Sequence, residues 1–190
     1  MEALFGVQRA TRLREQTENL SPSERESRII EELSQALKEI GGDFVHPFEF
    51  SNSAGTRISH YLLLVSKHPK AFNLWKEITA KVSSSQTQGV ASFEFNPKAK
   101  KQRPLFDLEQ PLDDLGEELL KRFAGQTLTV EQIFNTHNIL SNRFILKNYR
   151  DILKKLEEEG KVIADPPAER RRKRKGEVTL ADQTKIIFPE

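Results

Sequence analysis

Apolar and polar residues alternate with helical spacing from 141 to 160. At about 100° per residue, Ile145, Leu146, Tyr149, Ile152, Leu153 and Leu156 fall on one side, and Arg143, Lys147, Arg150 and Lys154 form a narrow stripe on the other. Gly160 tolerates the positive φ that ends a helix. Residues 161–164 then read as a short strand, and residues 184–188 as a second one. Between them runs Arg170-Arg171-Arg172-Lys173-Arg174-Lys175. Upstream, Leu112, Leu115, Leu119 and Phe123 share one face of a helix closed by Gly125, and Ile133 and Phe134 face inward from a short helix over 130–135. His137 and Asn138 make a turn, and Ser141 or Asn142 opens the third helix. Three helices followed by a two-stranded hairpin predict a winged helix-turn-helix over 112–190.

The first half has a different pattern. Ser21-Pro22-Ser23-Glu24 carries the marks of a helix start, with a Ser cap, Pro at the first helical position and Glu three residues after the cap. Ile29, Ile30, Leu33, Ala36, Leu37 and Ile40 line one stripe of that helix, and Gly41-Gly42 ends it. Residues 44–50 read as a strand whose Pro47 suits an edge or bulge. Residues 58–66 read as a second strand, apolar enough over 61–65 to be buried on both faces. A helix follows with Ala71, Trp75, Ile78 and Val82 aligned and Phe72 and Leu74 flanking them. Residues 83–89 read as a Ser/Gln/Thr linker and 90–95 as another short strand. Three prolines and the cations Lys98, Lys100, Lys101 and Arg103 mark 96–111 as interdomain. The expected fold is therefore α+β: a small helix/strand-pair/helix unit over 1–95, a linker over 96–111, and the winged helix.

Charge changes the picture only through clustering. The net charge is +2, with 31% charged residues, so the basic run is the one strong cluster. Six adjacent cations belong in water or against a polyanion, and between two strands they suit a wing tip on phosphates. Asn142, Arg143, Lys147 and Asn148 are candidates for base edges, with Arg150 and Lys154 beside them and Arg170, Arg171, Arg172, Lys173, Arg174 and Lys175 on the backbone. The chain contains no cysteine, which excludes disulfides and thiolate metal sites. No apolar run is long enough to span a membrane and no signal-peptide core is seen, so a cytoplasmic, membrane-free protein is expected. His46, His60, His68 and His137 lack metal-like spacing and read as structural, and no metal site or catalytic residue is assigned.

Residues 61–69 (Tyr-Leu-Leu-Leu-Val-Ser-Lys-His-Pro), 123–129 (Phe-Ala-Gly-Gln-Thr-Leu-Thr) and the helix ending 156–160 carry a further signal. With the helix over 21–42 and the strand pair, they resemble the C-terminal region of the three-Cys-motif partner family, in which a methyltransferase-like domain precedes a winged helix. The resemblance implies that 21–66 is the remnant of a Rossmann-like methyltransferase sheet. The cofactor-binding half is missing: none of the nine glycines forms G-x-G after an apolar strand. No cofactor and no independent enzymatic activity are therefore expected. The reading favours an accessory protein that binds nucleic acid, duplex DNA ahead of RNA. A lone strand pair is marginal in water, so the pair within 44–66 is expected to join a protein partner or a second copy. The alternatives are a methyltransferase-like subunit active only in a complex, and a winged-helix module for protein–protein contact.

Overall fold

The computed structural model describes residues 2–99, 111–138 and 143–190. Most of the expected linker, with Lys100, Lys101 and Arg103, and the candidate Asn142 lie outside the described residues. The chain divides into two compact units, Met1–Val82 with Phe93–Lys98, and Ser83–Ser92 with Ala99–Glu190. Both mix helices with small sheets, so the described fold is α+β.

In the first unit, α1 (Glu2–Phe5) and α2 (Val7–Thr17) lead to α3 (Pro22–Glu39). The expected start of α3 is a complete capping box. The Glu24 N–H donates to Ser21 Oγ at 3.4 Å and the Ser21 N–H donates to the Glu24 carboxylate at 2.9 Å. Those bonds hold the Glu24 carboxyl below its ordinary range. Arg9 of α2 pairs with Glu32 and Glu39 of α3, each at 2.8 Å. After α3, β1 (Phe44–Ser51) pairs antiparallel with β2 (Ile58–Ser66), Phe44 opposite Ser66, with an irregularity at Phe50/Ser51.

The helix α4 (Pro69–Val82) packs on the sheet face that carries Phe44 and His46. Phe72 stacks on Phe44 with ring centroids 5.0 Å apart, and the Trp75 indole N–H donates to His46 Nδ1 at 3.3 Å. Tyr61 and Glu49 lie on the opposite face, within the field of Glu26 on α3. Helices thus flank both faces. Residues 83–95, expected as a linker and one strand, hold three short strands instead. β3 (Gln86–Thr87) and β4 (Val90–Ala91) form a hairpin in the second unit, and β5 (Glu94–Phe95) returns to pair parallel with β1. The sheet order β2-β1-β5 leaves β2 at an edge.

The second unit continues through α5 (Pro111–Phe123), β6 (Thr127–Thr129), α6 (Val130–Asn138), α7 (Leu146–Glu158) and β7 (Ile163–Asp165). A 3-10 turn, Ala168–Arg170, precedes the hairpin of β8 (Lys173–Arg174) and β9 (Glu177–Val178), and β10 (Lys185–Ile187) closes the unit. β10 lies between β6 and β7, antiparallel to both. Leu115, Leu119, Phe123, Ile133, Phe134, Tyr149, Ile152, Leu153, Leu156 and Ile186 fill the core. The helical period marked most of these positions. It did not mark β6, whose three residues are too few to show alternation.

Two boundaries differ from expectation. His137 and Asn138, read as a turn, are the buried last residues of α6. The third helix begins at Leu146 and not at 141 or 142; at its start the Ile145 N–H donates to Asn148 Oδ1 at 3.0 Å. It stops as expected, with Gly160 at φ 70° and the Lys161 N–H bonded to the Leu156 carbonyl at 2.8 Å.

Candidate nucleic-acid interface

α6 and α7 are the helices of the helix-turn-helix, and the segment between β7 and β10 forms the wing. Within the wing, Lys175 at φ 52° and Gly176 at φ 87° are the two central residues of the β8–β9 hairpin. Positive φ at both positions defines the mirror-image turn whose twist matches the flanking strands. The end of the basic run, Lys173, Arg174 and Lys175, therefore stands on an ordered hairpin, while Arg170 ends the 3-10 turn before it. Arg170, Arg172, Lys173, Arg174 and Lys175 are exposed, and among the described residues no carboxylate pairs with any of them.

Arg171 is the exception, and its expected phosphate contact is corrected. Its guanidinium turns inward to Glu157 of α7, and Nε and Nη1 are buried without a hydrogen-bond partner. It anchors the root of the wing to the helix. A cleft of about 530 Å³ beside this pair is lined by Lys154, Glu158, Glu169 and Glu177. Counting the Arg171–Glu157 pair, the lining holds four glutamates against two cations, so its walls are acidic.

Along α7 the cations are mostly paired. Lys147 bonds Asp151 at 2.9 Å one turn on, and Arg150 bonds Asp182 at 2.6 Å. Lys154 has no carboxylate partner among the described residues. Pairs of this exposure are worth roughly 0–1 kcal/mol, so a phosphate can displace them. Arg143 precedes the helix instead of standing on it, with its guanidinium 5.9 Å from the Phe144 ring.

Asn148 requires the larger correction. It is 1% exposed and points into the unit. Its Oδ1 receives the Ile145 N–H, and its Nδ2 donates to the Gly89 carbonyl at 3.0 Å. Both ends of the amide are satisfied internally, so it offers nothing to a base edge.

Sequence reasoning missed the carboxylates that temper this face. Asp151 was legible as an i, i+4 partner of Lys147. Asp182, on the loop before β10, and Asp113, which pairs with Lys155, carried no local signal.

Residues 86–169 match the family described as the GMT-like wHTH domain. The second unit is therefore a winged helix-turn-helix. The matched span opens at the first residue of β3 and closes just before the basic run. No curated protein and no solved structure matches the chain. No described helix is long and apolar enough to cross a membrane, and no described group of three or more His, Asp or Glu residues could hold a metal ion.

Proposed function

We propose that the protein binds duplex DNA through its winged helix, with the wing tip supplying most of the affinity. The observation that carries this reading is the set Arg170, Arg172, Lys173, Arg174 and Lys175, exposed on the wing and without a carboxylate partner among the described residues. Winged helices at a general level bind nucleic acid, and five cations free of carboxylates suit the phosphate backbone. Lys147 and Arg150 face the groove beside them, after phosphates displace Asp151 and Asp182. Such an interface gives position and affinity before sequence.

Binding of the full chain to random-sequence duplex over a salt series tests this. Each phosphate contact adds about 0.9 to the slope of log K against log salt. Arg172→Gln should lower the slope by about 1. Equal slopes for the parent and Arg172→Gln would remove the wing from the interface.

The first unit supports a second part of the proposal: association with another copy through β2. The resemblance to the three-Cys-motif partner family, with the strand pair as a remnant of a larger sheet, belongs to this part of the reading. It is supported by helices on both faces and by an apolar strand left at an edge.

A further inference from the structure

We propose that the β3–β4 hairpin is a positioning element of the recognition surface, with Gln88 and Asn148 as the positioning residues; this rests on the DNA-binding reading above. The hairpin lies outside both the helix-turn-helix and the wing, and its turn residues, Gln88 at φ 48° and Gly89 at φ 78°, are both engaged. Gln88 Oε1 accepts the Leu112 N–H at 2.8 Å, in the first turn of α5. Gln88 Nε2 donates to Asp113 Oδ2 at 2.9 Å, and the other oxygen of Asp113 receives Lys155 of α7. From the neighbouring turn residue, the Gly89 carbonyl accepts Asn148 Nδ2, whose Oδ1 holds the Ile145 N–H at the start of α7. Val90 is buried in the core of the same unit.

These bonds have one physical effect. The first backbone N–H groups of a helix have no partner within it, and whatever accepts them sets how the chain enters the helix. Here the entrance to α5 is held by Gln88, and the entrance to α7 is held by Asn148, itself held by Gly89. The turn also reaches the groove side: a Cβ built on Gly89 would stand 4.0 Å from Lys147 Nζ. Helix-turn-helix proteins read base edges with the N-terminal part of the second helix. The hairpin therefore fixes the pose of the turn that enters the groove. Its tip, Gln86-Thr87-Gln88-Gly89, carries no charge, so it contributes through placement and not through phosphate attraction.

The test uses the full chain and random-sequence duplex, with the salt series read for affinity and slope separately. Gln88→Glu places a carboxylate against Asp113 and should weaken binding about fivefold or more at fixed salt. The slope and the circular dichroism spectrum should stay as in the parent, because the wing cations are untouched. The double variant Gln88→Glu with Asp113→Asn restores a donor opposite the carboxylate and should return affinity to within about twofold of the parent. A merely structural defect would not be rescued in this way. Unchanged affinity in Gln88→Glu, or a loss that the double variant fails to restore, overturns the positioning role while leaving DNA binding in place. A parent chain that does not bind duplex overturns the DNA-binding reading and this inference together.

Discussion

His137 stands between two partners in the winged-helix core, with Nδ1 2.8 Å from the Tyr149 hydroxyl and Nε2 3.3 Å from the Glu118 carboxylate. Burial pushes its pKa below the ordinary histidine value, against the opposing pull of Glu118. Burial likewise raises the Tyr149 phenol. The unfolded chain therefore binds a proton at this site more readily than the folded one. Stability contributed by neutral His137 is fully present above about pH 6.5 and declines as pH falls below that value, towards the lowered folded-state pKa. Urea midpoints between pH 5 and 8 should fall on the acid side, and the fall should be smaller in His137→Asn. An identical pH profile in that variant would assign the acid loss to other groups. The same burial separates the legible site residues from the rest. The exposed cations Lys147 and 172–175, and the half-buried Arg150, were readable from the helical stripe and the charge clustering. Asn148 was not, because its partner Gly89 lies 59 residues away. Nor could a run of six like charges reveal that Arg171 alone turns towards Glu157.

At the level of elements, α4 shows how periodicity can identify a helix and still misplace its face. The sequence aligns Ala71, Trp75, Ile78 and Val82, yet the buried residues are Phe72, Lys76, Thr79 and Ala80. Leu74, Ile78 and Val82 are 58%, 50% and 51% exposed. Phe72 decides the rotation: stacked on Phe44, it buries far more apolar area than Ala71 could. Lys76 follows it inward, its ammonium 5.1 Å from the Phe72 ring, where burial pushes its pKa down to about 7. Phe72→Ala should therefore cost about 3–5 kcal/mol, the range for truncating a buried aromatic. Ile78→Gln should change stability by no more than about 0.5 kcal/mol, as for an exposed position. Denaturant melts of the two variants check the assignment; equal losses would restore the face expected from periodicity. The elements with unmistakable local chemistry, such as the capped α3 and the long apolar stripe of α7, were legible at once. Two-residue strands such as β3, β4 and β8 exist only through their pairing, so no local pattern announces them.

For the whole molecule, the open question raised by the fold is what covers β2. Its residues 58–66 contain no charge and no proline, and Leu62 and Val65 are 49% and 45% exposed. Natural edge strands are usually guarded by lysine, proline or a covering element, because unpaired backbone groups recruit another strand. A second copy satisfies this edge without conflict. Antiparallel pairing about Leu62 sets Leu62 on Leu62, Tyr61 against Leu63, His60 against Leu64 and Ser59 against Val65, with no like charges opposed. Such a pair would extend two three-stranded sheets into one and give each assembly two winged helices, as two-fold DNA sites require. The expected outcome is a concentration-dependent species of twice 21.8 kDa in light scattering after size-exclusion chromatography. Leu62→Lys should return it to the monomer mass while the circular dichroism spectrum is kept, since the residue is half exposed and sits on an edge. Val65→Lys, on the other face of the same strand, should do likewise. A chain that stays monomeric at every concentration, or a dimer that survives both substitutions, would show that β2 is not the contact between copies.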